Sequence, residues 1–158
     1  MCINRIKVLK FIMMTENMPD ILIVEDNKYD VEFMLKAVEK YELTEKIKVF
    51  QDGAEALDYI LATGKYSGFD TCKRLKVIIL DLQLQKVGGL DVLQGIRANE
   101  NTRMTPVVVF SSSTEDRDRM ESYRLGANSY IVKPVSYEDF VNTAAEIGSY
   151  WMLQNIPA

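Results

Sequence analysis

The chain has 158 residues, of which 47% are hydrophobic and 27% charged; its 19 basic and 23 acidic side chains give a net charge of −4, and it contains no histidine. This length suits one domain, the apolar fraction suits a packed core, and the negative charge is a poor match to nucleic acid or an anionic membrane. Without histidine there can be no Ser-His-Asp triad, no histidine general base, no histidine-ligated zinc and no self-phosphorylation on histidine.

The cysteines and the N-terminal residues favour a protein of the reducing cytosol. Cys2 and Cys72 lie far apart, so they form neither a C-x-x-C motif nor a disulfide framework. No apolar run approaches the roughly 18–20 residues of a membrane helix, and the basic leader lacks the cleavage site of a signal peptide. We expect residues 1–19 to form a flexible extension, with Met14 as an alternative start, and residues 20–158 to form one domain of a cytoplasmic protein.

Short apolar runs alternate with amphipathic stretches along the rest of the chain. In order, they predict a strand at 21–24, a helix at 28–41, a strand at 47–50, a helix at 54–62, a strand at 77–80, a helix at 90–98, a strand at 106–110, a helix between Ser113 and Gly126, a strand at 129–132 and a helix after Ser136. Unbroken aliphatic strands are typical of burial on both faces. Strict alternation predicts an α/β fold, a doubly wound parallel sheet covered by helices on both sides.

Sequence signals mark the ends of the last two helices. Ser113-x-x-Asp116 and Ser136-x-x-Asp139 resemble capping boxes, and Gly126 suits the C′ position of a helix. The residues after the fifth strand leave room for one helix and a tail, so no separate output domain is expected.

Polar groups stand at the carboxyl ends of four of the five predicted strands. Glu25 and Asp26 follow the first strand and Asp81 follows the third. Ser111 follows the fourth strand and Lys133 the fifth. Because ligands of open α/β sheets bind beyond the carboxyl ends of the strands, we expect these five side chains to converge on one edge.

These residue types predict phosphoryl chemistry. Three crowded carboxylates repel one another unless a cation shares the site, and Mg²⁺ prefers such oxygen ligands together with phosphate. One carboxylate can then attack phosphorus, while Lys133 and Ser111 donate to the phosphoryl oxygens. Taken singly, each residue has a plainer explanation, such as a helix cap, a turn or a solvated charge. Their coincidence at one end of four strands favours an aspartyl-phosphate site.

The motifs that carry these residues resemble a known family, the response-regulator receiver domain of two-component signalling. The matching segments are Val24-Glu25-Asp26-Asn27, Asp52-Gly53-x-Glu55-Ala56-Leu57, Leu80-Asp81-Leu82, Pro106-Val107-Val108 leading to Ser111, and Gly126-Ala127-x-x-Tyr130-x-x-Lys133-Pro134. The resemblance covers about residues 20–155. It implies a flavodoxin-like (βα)5 fold with strand order 2-1-3-4-5.

The resemblance also implies a role for each residue of the site. Asp81 would be the phosphoacceptor, Ser111 and Lys133 would contact the phosphoryl group, and Tyr130 would be an aromatic switch. The Mg²⁺ ligands would be Glu25, Asp26, Asp81 and the backbone carbonyl of Gln83. The Lys133–Pro134 peptide bond would be cis. The phosphoryl donor would be a histidine kinase or a phosphotransfer protein, since this chain has no histidine.

A narrower similarity links the chain to small stand-alone regulators that partner phytochrome-type histidine kinases. It rests on Asp30-Val31, the long segment 62–74, Ser122-Tyr123 and Tyr150-Trp151. Two departures stand in the loop after Asp81. Gln85 replaces a proline common in the family, and Gly88-Gly89 are expected to loosen this loop and soften the metal site.

Phosphorylation is expected to switch the face formed by the fourth helix, the fifth strand and the fifth helix. Phe140, Ala144, Ile147 and Trp151 form the apolar stripe of the last helix, whereas Tyr150 and Leu153 point off it. We expect those two side chains, with Met120 and Tyr123 adding area, to mediate a homodimer.

Proteins of other classes share parts of this pattern. A flavodoxin-like cofactor binder needs a Gly/Ser/Thr-rich phosphate loop where this chain has Glu25-Asp26-Asn27-Lys28. A haloacid-dehalogenase-type phosphatase needs a second acid where this chain has Gln83. A receiver-like scaffold that binds proteins without phosphorylation is the remaining alternative, although Asp81, Ser111 and Lys133 are intact. The favoured function is that of a signalling protein which catalyses only its own phosphoryl transfer and dephosphorylation.

Overall fold

The computed structural model describes residues 18–71 and 74–158. The predicted N-terminal extension lies outside these residues except for Met18 and Pro19, so its flexibility stays a prediction. Within the described part of the chain, no helix combines the length and the apolar character needed to cross a membrane.

The described residues form a parallel sheet flanked by helices. The strands are β1 (Ile21–Val24), β2 (Ile47–Phe50), β3 (Val77–Leu80), β4 (Val107–Ser111) and β5 (Ser129–Val132), and the helices are α1 (Lys28–Glu39), α2 (Gly53–Ile60), α3 (Gly89–Ala98), α4 (Asp116–Arg124) and α5 (Tyr137–Ser149). The strand order is β2-β1-β3-β4-β5, and every described pair is parallel. The predicted fold class, order and alternation are therefore confirmed.

Alternate residues of the central strands pack into two apolar layers. Ile21 and Ile23 of β1 face α1 and α5, whereas Leu22 and Val24 face α2 and α3. All four are at most 1% exposed, as expected of a strand covered on both sides. The ladder pairs Val24 with Phe50 on one side and with Leu80 on the other, and this register sets the positions of the residues that follow each strand.

The helix boundaries confirm two of the three local signals. The Ser136 hydroxyl accepts a hydrogen bond from the Asp139 N–H and caps α5, and Gly126 follows α4 with a φ of +94°. The capping box predicted at Ser113 and Asp116 is wrong, because Glu115 is the N-cap of α4. The Ser113 hydroxyl instead donates to the Asp118 carboxylate at 2.6 Å.

The last turn of the C-terminal helix differs from the rest. Tyr150–Gln154 forms a π-helical turn that continues α5, closed by a hydrogen bond from the Asn155 N–H to the Tyr150 carbonyl. Trp151 packs on the core beside α5, while Tyr150 and Leu153 are 49% and 62% exposed. The predicted division between a core stripe and an outward pair is confirmed.

Gly89 brings α3 against the backbone that carries Asp81. A Cβ at Gly89 would lie 2.2 Å from the Asp81 carbonyl oxygen and 2.6 Å from Leu82 Cα, and the Gly89 N–H donates to the Leu82 carbonyl at 3.1 Å. Rather than loosening the loop, Gly89 lets the helix approach the end of β3 closely. The expected loosening is therefore wrong at Gly89, whereas the softening of the metal site stays a prediction.

Gly89→Ala should lower the free energy of unfolding by about 1–3 kcal/mol, because the clashing atoms belong to the backbone and cannot rotate away. Urea unfolding measures the loss. Gly88→Ala is the matched control, since the nearest atom to a Cβ there is Asp91 Oδ2 at 3.7 Å and its φ is −68°. Equal urea midpoints for the two variants would contradict this account.

Candidate functional site

The predicted site residues meet at the carboxyl edge of the sheet. Glu25, Asp81, Ser111 and Lys133 are each at most 8% exposed. The sheet ladder continues into them, because the Glu25 N–H donates to the Phe50 carbonyl at 2.9 Å and the Lys133 N–H donates to the Ser111 carbonyl at 2.8 Å. The strands thus set the backbone of these residues, as the sequence predicted.

The Lys133 ammonium lies among three carboxylates. Its Nζ donates to Glu25 Oε2 at 2.6 Å, to Asp30 Oδ2 at 2.8 Å and to Asp81 Oδ2 at 3.0 Å. Burial by itself would lower the pKa of Lys133, but the hydrogen bonds to Asp30 and Glu25 outweigh it and hold this pKa above the ordinary value. All three N–H groups of the ammonium have an anionic partner.

Glu25 is the most deeply buried of these acids. Burial, with a smaller contribution from the charge of Asp81, raises the pKa of its carboxyl to about 7, although the hydrogen bond from Lys133 acts to lower it. Lys133 is therefore what allows a charged group to be kept at this position.

The start of α1 explains how an acidic loop folds beside the sheet. Asn27 is the N-cap, and its Oδ1 accepts from the N–H groups of Tyr29 and Asp30 at 3.0 and 3.3 Å. The Asn27 N–H in turn donates to Glu25 Oε1 at 3.0 Å. These local bonds turn the chain sharply after β1, and they place Asp30 in the first helical turn beside Lys133.

Three carboxylates could hold a metal ion. Glu25, Asp26 and Asp81 each offer an oxygen, and these oxygens lie within 4.8 Å of one another. The loop after β3 closes over them, since the Gln85 N–H donates to Asp26 Oδ2 and the Gln83 N–H donates to Asp81 Oδ1, both at 3.3 Å. A donor set made only of oxygens fits a hard divalent ion such as Mg²⁺. The role of the Gln83 carbonyl as a ligand stays a prediction.

Ser111 and Tyr130 lie on the side of the site that leads to α4. The buried Ser111 hydroxyl accepts from the Ser113 N–H at 3.4 Å, and the Tyr130 hydroxyl donates to the Ser113 carbonyl at 2.9 Å. The Tyr123 hydroxyl accepts from the Tyr130 N–H at 3.1 Å. Ser113 therefore links the strand end, the aromatic ring and the beginning of α4 through Asp118.

The structure departs from the sequence predictions at this edge in two further ways. The Lys133–Pro134 bond is trans, like all the described peptide bonds. The expected cis bond is therefore wrong, and trans is the intrinsically favoured isomer before proline.

Asp30 was missed as a member of the site. The sequence does indicate that Asp30 faces inward. It precedes Phe33 by three residues and Met34 by four, and both of these lie on the inward face of α1.

Lys133→Met should lower the free energy of unfolding by about 3 kcal/mol, because it leaves Glu25 and Asp81 buried without their cation. Urea unfolding of Lys46→Met is the control, since that ammonium is 55% exposed and lies 3.8 Å from its acid. Adding Glu25→Gln to Lys133→Met should restore part of the loss. Equal losses in the two lysine variants would contradict the burial argument.

Comparison with known proteins identifies the family. Residues 21–145 match the response regulator receiver domain. The chain is 41% identical over 133 residues to the probable methanogenesis regulatory protein FilR2 of Methanothrix harundinacea, covering 84% of this chain and 83% of that protein. It is 30% identical over 132 residues to the response regulator Rcp1 of Synechocystis, covering 84% of this chain and 88% of Rcp1.

Solved structures agree. The phosphorylated cyanobacterial phytochrome response regulator RcpA matches with a TM-score of 0.80 and 31% identity, covering 87% of this chain and 96% of RcpA. The Mn(2+)-bound form of Rcp1 matches with a TM-score of 0.80 and 29% identity, covering 87% of this chain and 97% of Rcp1. With its strand order and strand-end residues, this chain belongs to the response-regulator receiver family of two-component signalling and is closely similar to the stand-alone phytochrome response regulators.

Proposed function

We propose that this chain is a single-domain response regulator that accepts a phosphoryl group on Asp81 from a histidine of another protein. The observation that carries the proposal is the placement of Asp81. Its carboxylate is 5% exposed at the end of β3, bonded to the Lys133 ammonium at 3.0 Å and grouped with Glu25 and Asp26. This arrangement supports a nucleophilic carboxylate that is bonded to one cation, Lys133, and shares a set of oxygens able to hold a second.

In the proposed reaction, an oxygen of Asp81 attacks the phosphorus of a phosphohistidine. The new O–P bond forms as the P–N bond breaks, and the bonding electron pair returns to the imidazole nitrogen of the donor. Mg²⁺ held by Glu25, Asp26, Asp81 and the Gln83 carbonyl would supply charge neutralisation at the phosphoryl oxygens. Lys133 and Ser111 donate hydrogen bonds to these oxygens. The protein catalyses only this transfer and its own dephosphorylation.

Tyr130 is proposed to couple the site to the face formed by α4, β5 and α5. Phosphorylation adds about −1.5 to −2 charges, and Ser111 and Lys133 move toward them. The ring of Tyr130, whose hydroxyl bonds the Ser113 carbonyl at 2.9 Å, then takes the space beside Ser111. Shifting the equilibrium between the resting and the switched conformation from 1:99 to 99:1 needs about 5.5 kcal/mol. Several charge-assisted contacts of about 1.5–3 kcal/mol each can supply it.

We further propose that the donor is a phytochrome-type histidine kinase, or a phosphotransfer protein downstream of one, in the cytoplasm. Similarity to Rcp1 and to the phytochrome response regulator RcpA supports this partner.

With Mg²⁺ and acetyl phosphate, the wild-type protein should gain one phosphoryl group, seen by intact mass spectrometry. Asp81→Asn should gain none, because its amide cannot attack phosphorus, and chelation of the metal should suppress the wild-type adduct. Asp91→Asn, which removes an exposed acid of α3, is the control and should behave as wild type.

Two results of that experiment would overturn the assignment. One is an adduct of equal yield in Asp81→Asn. The other is no adduct in the wild type, which would favour the alternative of a phosphorylation-independent scaffold for protein–protein interaction.

The exposed pair at the end of α5 is proposed to form a homodimer contact. Tyr150 and Leu153 are 49% and 62% exposed, and Met120 and Tyr123 of α4 add exposed area at 69% and 50%. Exposed apolar side chains that form a contiguous patch mark association surfaces more often than isolated ones do.

The double variant Tyr150→Ser/Leu153→Ser should weaken dimerisation at least about tenfold, since it removes two large apolar side chains from the contact. Sedimentation velocity at micromolar concentration measures the change. Val135→Ser, at a fully exposed apolar position outside this pair, is the control. A wild-type protein that stays monomeric with and without a phosphoryl mimic would contradict the proposal.

A further inference from the structure

The geometry points to Asp30 as a positioning residue that competes with the incoming phosphoryl group for Lys133 and so holds the site in its resting state. This inference rests on the proposed function, because it concerns the phosphoryl group on Asp81. Asp30 belongs to α1 rather than to a strand end, and its Oδ2 lies 2.8 Å from Lys133 Nζ.

The hydrogen bonds of Lys133 explain the competition. An ammonium has three N–H donors, and in this structure the three donate to Glu25, Asp30 and Asp81. A phosphoryl oxygen can be bound only if one of these bonds is given up or shared. All three N–H donors of Lys133 therefore already have a carboxylate as acceptor in the structure.

Asp30 is the partner that Lys133 can release at the lowest cost. The Glu25 side chain is 1% exposed and the Asp81 side chain 5%, whereas that of Asp30 is 20% exposed. Glu25 has no access to water, so without Lys133 its carboxylate would depend on a metal ion alone for compensation, which is less favourable than solvation. Asp81 itself carries the phosphoryl group. Asp30 can turn toward water, and its anion is then solvated.

The negative charge of Asp30 also opposes phosphorylation of Asp81. Asp30 and Asp81 bind the same ammonium, so a phosphoryl group on Asp81 adds negative charge close to the Asp30 carboxylate. Like charges at this range in a partly buried site repel appreciably. Both effects favour the unphosphorylated state, so removal of the Asp30 charge should strengthen the binding of a phosphoryl group or of its mimic.

The test measures the affinity for beryllofluoride, a phosphoryl mimic that binds an aspartate carboxylate, by ¹⁹F NMR titration at saturating Mg²⁺. Asp30→Asn should bind about tenfold more tightly than wild type, because a neutral amide is a weaker competitor for the ammonium than a carboxylate. Asp30→Glu, which restores the anion, should return the affinity toward the wild-type value. Glu32→Gln removes the same charge from an exposed position of α1 and should leave the affinity unchanged.

The outcomes separate this inference from the function on which it rests. A gain of affinity cannot come from damage to the fold, so tighter binding by Asp30→Asn alone supports competition. Unchanged or weaker binding by Asp30→Asn, with normal binding by wild type, overturns the role of Asp30 and leaves the phosphoacceptor assignment standing. No binding by wild type overturns both. An equal gain in Glu32→Gln also overturns the specific role, since net charge would then explain it.

Discussion

The interaction on which the site depends is the bonding of one buried ammonium to carboxylates from three separate elements. Lys133 follows β5, Glu25 and Asp81 follow β1 and β3, and Asp30 comes from α1. A charge buried to this extent is tolerated only when its partners are held in place. The parallel sheet does this, because its register carries the ends of non-adjacent strands to one edge. The fold is therefore what keeps the charges compensated.

The strand ends could be predicted from sequence because a short-range pattern determines them. Runs such as Ile21-Leu22-Ile23-Val24 are apolar at every position, and such strands are buried in a parallel sheet whose carboxyl ends share an edge. Glu25, Asp81 and Lys133 follow from this rule. Their exact contacts, such as the bond from Lys133 to Glu25 at 2.6 Å, need the three-dimensional arrangement.

Features that depend on tertiary packing could not be predicted in the same way. Asp30 reaches Lys133 from α1, a helix that packs against α5 through contacts such as Phe33 on Phe140, with ring centroids 5.7 Å apart. Gly89 looks like a flexible loop residue in the sequence, but it is required by the backbone of Asp81. Ser113 has the spacing of a capping residue, yet Glu115 is the N-cap and the Ser113 hydroxyl donates to the Asp118 carboxylate instead. In each case a longer-range contact replaces the local preference.

The absence of histidine bears on how the charges of Lys133 and its carboxylates serve the proposed function. A chain without histidine cannot carry the donor group of the proposed relay, so the phosphoryl group must arrive from a partner at a site already rich in carboxylates. Such a site resists a further anion until a metal ion and Lys133 offset its charge. In the proposed mechanism, Glu25, Asp26 and Asp81 favour phosphorylation because they bind the metal ion, whereas Asp30 opposes it because it holds Lys133. The resting state is then favoured without the donor, and the phosphorylated state becomes accessible only when a metal ion and a phosphoryl donor are both present.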